Sequence, residues 1–514
     1  MALLGRQKPN TLIVSARATN VRPVRGVPCP RLLLTVCAGC VTISILPEDV
    51  LLNIFLFDRA SYDTYLDYGR LTLSWGWNRL VHVCHKWRSI IFESPIVFDL
   101  KLVCRPWTRR GLTGVWPSLP IVITNVIDVS MPKDYSFEAV TVHHNRVREM
   151  KLVRLSSQLV KRVISVMQDQ FPELIHFFLG IDRFLAFISR EAFPILPDGF
   201  LVESATRLQS LRLRHTAFPT LPKLLLSATD LVHLDLKYIP HSGYFSPQAI
   251  VTGLAALANL ESLHIGFESP QSRPKQGSRL LPPQTRTVLP ALSRFEFRGV
   301  SEYLEDLVSR FDAPSLDSIL ITFFHQLIFD IPQLAQFMGR TTRFQALDGV
   351  HLEFEYSSVH VGYLPPVQSY EEKSGLEISC RKLDWQLSSL AQVFTPLFPS
   401  IYMVEDLYIY EPSWSHSKWP QDIENMQWLE VFHPFTSVKN LYVCRELAQS
   451  ISLALQELVG ERVKEVLPAL TTLFLQELQE SGAEQKAIGE FVAARQLLGH
   501  PVAVSHWDRA RRYP

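Results

Sequence analysis

The stretch "WNRLVHVCHKWRSI", residues 77 to 90, sets His82, Cys84 and His85 between Trp77 and Trp87. Such a cluster can ligate a metal, pair a thiol nucleophile with an imidazole base, or pack a helix. On a helix His82 and His85 stand at i and i+3, which serves a metal only if a carboxylate or a second ligand pair converges. Cys84 then points away from both, onto the stripe of Trp77, Leu80, Val81, Trp87 and Ile91, as a small hydrophobe. Packing is the expected role. Cys37-Ala-Gly-Cys40 is a lone CxxC with no second pair at zinc spacing. His143-His144 lacks nearby Cys, Asp or Glu at metal spacing and reads as an exposed loop pair. No Gly-rich phosphate loop, HExxH or GxSxG occurs. The expectation is therefore no catalytic residue, no metal and no cofactor.

Those candidates sit in a chain of 514 residues, long enough for two domains or one domain plus a repeat array. Lys plus Arg is 51 and Asp plus Glu 50, so charge gives no reason to expect nucleic acid or an anionic membrane as partner. Seven scattered cysteines do not form a secreted disulfide framework, which favours a reducing compartment, cytoplasm or nucleus. Residues 1–43 carry Arg6, Lys8, Arg17, Arg22, Arg25 and Arg31 and no acid, then the apolar run "LLLTVCAGCVTISIL". A signal or transit peptide has this composition. The preferred reading is a basic, poorly ordered tail, because the run leads unbroken into a helix start and is short for a membrane span.

That helix start is "SILPEDVLLNIF". Pro47 suits the first turn, Glu48 and Asp49 favour the positive end of the helix dipole, and Leu46, Val50, Leu51, Ile54 and Phe55 form one apolar stripe. From about residue 145 a segment of the form L-x-x-L-x-L keeps returning. Clear copies are "RLQSLRLRH", "DLVHLDLKY", "NLESLHIGF", "SLDSILITF", "VEDLYIYE", "SVKNLYVCR" and "ALTTLFLQE". Looser ones start at Val147, Leu174, Leu292 and Leu347. Their spacing lies near the roughly 20–29 residues of leucine-rich repeats, stretched slightly, with one gap of two repeat lengths after Leu347 that implies a degenerate copy. The string "VLPAL" occurs at 288 and at 466, each time leading into a copy.

Helical fillers such as "SPQAIVTGLAALA" and "SEYLEDLVSRF" separate the copies. A strand and helix that cannot bury their apolar faces alone do so when stacked. The segments 357–375 and 412–421 read as loops leaving the array. A helix over 484–498 and a strand through Val502 and Val504 read as its end cap.

"LPEDVLLNIF" followed by "LVHVCHKWRSIIFESPIVFDLKL" resembles an F-box: a Leu-Pro start, an acidic first turn, an apolar helix, then V-C-x-x-W on a later helix. The resemblance covers residues 44–102, and the joined architecture is similar to a group of fungal F-box proteins with irregular leucine-rich repeats. The spacer between Phe55 and Cys84 is longer than usual for that family, and the basic tail has no counterpart in it.

The fold class so implied is α+β: a small three-helix F-box (44–102), a linker or solenoid start (103–144), an irregular α/β solenoid (145–480) and a capping segment (481–514). The resemblance implies a non-catalytic substrate-recognition subunit of a Skp–cullin–F-box ubiquitin ligase. A Skp-type adaptor, and through it a cullin, would meet Leu46, Pro47, Leu51, Ile54, Phe55, Cys84 and Trp87, while the repeats hold a protein target. In a bundle this small, packing and docking residues are not separable from sequence. The alternative is a repeat scaffold that binds targets without ubiquitylating them.

Overall fold

Every copy of the repeating segment forms a β-strand. The computed structural model describes residues 12–14, 46–62, 83–93, 100–104, 119–125, 142–167, 170–182, 194–201, 204–274, 285–326, 328–341, 349–362, 375–380, 383–398, 401–412, 425–458, 462, 464–476 and 483–507. The chain divides into two units, 1–155 with 165–178, and 156–164 with 179–514.

The first unit contains β1 (Leu12–Val14), α1 (Glu48–Tyr62), α2 (His85–Glu93), β2 (Leu100–Cys104), β3 (Ile121–Asn125) and β4 (Val147–Leu155). The strands pair in parallel in that order, so parallel pairing is already present in the segment expected to be linker or solenoid start. Arg146 supports the turn into β4 by donating from Nε and Nη2 to the Leu119 carbonyl, at 3.1 and 2.6 Å. Of the expected three F-box helices, α1 and α2 lie among the described residues. The rest of the basic tail, Cys37 and Cys40 included, lies outside them.

After α3 (Ser157–Val166) and β5 (His176–Ile181), the second unit alternates strand and helix. It runs β6 (Ser210–Arg214), α4 (Leu221–Leu225), β7 (His233–Ile239), α5 (Pro247–Leu254), β8 (Ser262–Phe267), β9 (Thr287–Val288), β10 (Arg294–Gly299), α6 (Ser301–Val308), β11 (Phe311–Asp312), β12 (Ser318–Phe324) and α7 (Pro332–Arg340). Then follow β13 (Gly349–Glu355), β14 (Ser358–Gly362), β15 (Gly375–Ser379), α8 (Leu383–Leu397), β16 (Asp406–Tyr410), α9 (Asn425–Phe432), β17 (Asn440–Val443), α10 (Arg445–Gln456), β18 (Thr472–Leu475), α11 (Ala483–Leu497) and β19 (Ala503–His506). From α4 to α11 each helix packs on the next. The expected cap helix and final strand are α11 and β19.

The repeat strands bury alternate apolar residues, as with Leu234 and Leu236, Leu263 and Ile265, Phe295 and Phe297, or Leu407 and Ile409. Burying each such side chain contributes roughly 1.5–3 kcal/mol, and neighbouring units supply one another's cover. The duplicated "VLPAL" has a structural equivalent: Leu289 and Leu292, and Leu467 and Leu470, are buried in matching turns just before β10 and β18. A hydrogen bond closes each turn, Leu292 N to Leu289 O and Leu470 N to Leu467 O.

One expectation is corrected. Residues 357–375 are not simply a loop: β14 runs antiparallel between β13 and β15, and β15 pairs in parallel with β12. The sheet order is therefore β12-β15-β14-β13-β16, a three-stranded meander inserted into the parallel ladder. The degenerate copy exists as β15 with α8. Its short segment "GLEIS" escaped the leucine template. The loop expected at 412–421 lies outside the described residues except for Pro412.

Candidate binding face

In the first unit the seven motif residues separate by exposure. Leu51, Phe55 and Trp87 are buried, and the Phe55 and Trp87 rings meet at 4.7 Å. Ile90 and Ile91 complete that face of α2. Pro47 is exposed, as are Val50 at 37% and Ile54 at 40%, and their spacing puts them on one side of α1. Leu46 and Cys84 are half-buried. The two halves of the motif are tied together, since Lys86 Nζ donates to the Leu46 carbonyl at 3.1 Å.

Cys84 is corrected from its expected place on a helical stripe. It precedes α2, and its carbonyl accepts from Arg88 N. His85 is exposed, while Trp77 and His82 lie outside the described residues. His143 and His144 are half-buried rather than exposed, and Arg146 beside His143 adds to burial in lowering its pKa. Among the described residues no three His, Cys, Asp or Glu side chains form a metal-binding group, and no helix is long and apolar enough to cross a membrane. Cys104 and Cys444 are buried free thiols, pushed up by that burial to about 11 and about 12.

In the second unit the alternation that buries the aliphatic residues turns the cross-positions to the opposite, strand-lined face. Register joins them into transverse rows. One row reads Asp235, His264, Glu296, Leu320, Gly375, Gly362, His351, Tyr408, Tyr442, Phe474 and Ser505. It begins charged, passes two glycines, becomes aromatic and closes on Ser505. Gly375 has φ +146°, and a Cβ there would lie 1.9 Å from the Val361 carbonyl oxygen, so the narrow centre of the row requires glycine.

At the aromatic end, His351 stacks on Tyr408 at 4.5 Å, Tyr408 on Tyr442 at 4.3 Å and Tyr442 on Phe474 at 4.4 Å, all within 9° of parallel. Trp507 meets Tyr442 edge-on at 5.6 Å, leaving Tyr442 2% exposed. Burial holds the His351 imidazole down at about 4. At the charged end, His264 Nδ1 lies 2.5 Å from Glu296 Oε2 and Arg294 Nε lies 2.8 Å from Oε1. Burial alone would raise the Glu296 carboxyl. The His264 hydrogen bond, with the charges of His264, Lys237 and Arg294, outweighs it and holds the group at about 2.

The overlooked sequence signal for the aromatic stack is one aromatic at the same template position in three successive copies, "DLYIY", "NLYV" and "TLFL". No family model matches the chain, and no curated protein matches it. Among solved structures, the leucine-rich repeat-containing protein LegL7 from Legionella pneumophila is similar at 11% identity, with 66% of this chain and 96% of that chain covered and a TM-score of 0.26. That likeness is too slight to carry an argument, so the fold rests on the register itself: the second unit is a mixed α/β strand–helix repeat array with a predominantly parallel sheet.

Proposed function

We propose that this chain is a non-catalytic substrate-recognition subunit of a Skp–cullin–F-box ubiquitin ligase, acting in the cytoplasm or nucleus. Its F-box-like helices dock a Skp-type adaptor and thereby a cullin, and its repeats hold a protein target. The mechanism is proximity: holding a target near a ubiquitin donor raises its effective concentration, with no bond chemistry by this chain.

The observation that carries the adaptor half is the split of the motif across α1. Leu51 and Phe55 are buried, Phe55 against Trp87, whereas Pro47, Val50 and Ile54 remain on an exposed apolar side. A two-helix packing that leaves such a stripe uncovered suits completion by a partner helix. The target half is supported by the register that brings the half-buried Lys237, His264, Glu296 and Arg298 together on the strand-lined face.

Co-purification of the full chain with a Skp-type adaptor tests the reading. Its loss on Ile54→Asp, in a protein that still unfolds cooperatively, is the expected result. A folded chain that captures targets but no adaptor is instead the non-ubiquitylating scaffold.

A further inference from the structure

We infer that the strand-lined face carries an oxyanion-binding pocket between β7, β8, β10 and β12, built to take a carboxylate or phosphate group borne on a peptide. The inference rests on the repeat face being a protein-binding surface, but not on the adaptor half of the proposal.

The pocket has a volume of about 120 Å³ and is lined by Lys237, Tyr238, His264, Gly266, Arg298 and Thr322, among others. That volume is room for several waters or a small polar group. Gly266 keeps it open: a Cβ there would meet His264 Nε2 at 3.1 Å and Arg298 Cβ at 3.5 Å.

Arg298 is the principal donor. Its guanidinium carbon lies 5.5 Å from the centres of both the Tyr238 and Phe324 rings, so two aromatic faces hold the cation. The β7 register shifts between Leu236 and Ile239, and Tyr238 has φ 57° there; such a bulge re-aims a side chain. Among the described residues Arg298 has no carboxylate partner, and its buried Nε has no hydrogen-bond partner. A half-buried guanidinium with unspent donors in a fixed fork matches the geometry of a carboxylate or phosphate.

Lys237 adds a second cation. Its Nζ stands 3.9 Å from both Asp235 and Glu296, an ion-pair distance longer than a hydrogen bond. The carboxylate inside the pocket, Glu296, is already engaged by His264 and Arg294. Among the residues lining the pocket, the two cations Lys237 and Arg298 outnumber the one carboxylate, Glu296.

The test uses the full chain and two kinds of probe. Inorganic phosphate, exchanged for chloride at constant ionic strength, is followed by thermal unfolding. Labelled nonapeptides of alanine and glycine carrying a central serine, glutamate or phosphoserine are followed by fluorescence anisotropy. Phosphate is expected to raise the midpoint, and the glutamate or phosphoserine peptide to bind at least tenfold tighter than the serine peptide. Which of the two does so distinguishes carboxylate from phosphate as the source.

Arg298→Ala is expected to weaken that binding about ten- to a hundredfold, the range for hydrogen bonds to a charged group, with Arg298→Lys recovering part of it. Lys237→Gln, at a more exposed position, supplies the same comparison if Arg298→Ala does not fold. Equal binding of all three peptides, or a phosphate shift as large in Arg298→Ala and Lys237→Gln as in the parent, overturns the inference. Adaptor co-purification is untouched by either result, so failure here and failure of the ligase reading are separable.

Discussion

The rings of Tyr408 and Tyr442 lie 4.3 Å apart and 7° from parallel because the two residues are register partners on adjacent parallel strands. The strand–helix repeat places one cross-position directly beside the next, so an aromatic repeated at that position becomes a stack. His351 and Phe474 extend it on either side, and Trp507 covers its middle. The ladder therefore joins four strands through side chains on the face opposite the aliphatic core.

Removing one rung should cost what a buried aromatic costs. Tyr442→Ala is expected to destabilise the repeat array by about 3–5 kcal/mol, from lost burial and two lost stacks. Tyr442→Phe keeps the ring and should change stability by less than about 1 kcal/mol. Urea unfolding of the two variants measures the difference. Equal, small losses would mean that the stack contributes nothing beyond exposure.

The buried His351 sets a pH window. Its folded pKa is about 4 against 6.5 for the free side chain, so the unfolded chain takes up the proton first as pH falls. Stability should be unaffected above pH 6.5, fall between about pH 6.5 and 4, and lose about 3 kcal/mol in total by the lower limit. His351→Phe should flatten this part of the profile, measured as unfolding midpoints from pH 7 to pH 4.5.

Glu296 titrates lower and with the opposite partner set. Its carboxyl is held at about 2 against 4.5, so its contribution is present above pH 4.5 and is lost as pH falls toward 2. Glu296→Gln should remove the stability loss between pH 4.5 and 2 while leaving the His351 window intact. Acid unfolding of this variant, compared with His351→Phe, checks that the two windows are independent.

A buried carboxylate also starts a helix. Glu305 on α6 accepts from the backbone N–H groups of Gln333 and Leu334 at 2.8 and 2.7 Å, satisfying the first turn of α7. Glu305→Ala is expected to cost about 2 kcal/mol, and faster hydrogen exchange should be confined to α7 and its neighbours. Unchanged exchange at Gln333 and Leu334 would contradict that role.

The strands were legible because a parallel ladder covered by helices on one side writes a period-2 pattern that recurs at repeat spacing. β6, β7, β16 and β17 follow directly from their leucines. β14 and β15 were hidden for physical reasons: "SVHVG" and "GLEIS" carry small or β-branched residues, and their partners are set by the meander rather than by the repeat. In the F-box-like segment the motif residues were readable, but their division was not. Only the packing of Phe55 on Trp87 shows that Leu51 faces inward while Pro47, Val50 and Ile54 face out. The Arg298 pocket left no trace in the sequence because its residues come from four strands and meet only through register.

The adaptor reading meets its most direct test at Val50 and Ile54, two exposed residues that can be changed without opening the core. Full chain carrying Val50→Asp and Ile54→Asp is compared with the parent for capture of a purified Skp-type adaptor, with Trp87→Ala as the variant that perturbs packing. The account predicts that the parent binds, that the double variant loses at least tenfold in affinity, and that its unfolding midpoint stays within about 0.5 kcal/mol of the parent's stability. Adaptor capture equally strong in the folded double variant, or absent from the folded parent, would contradict it.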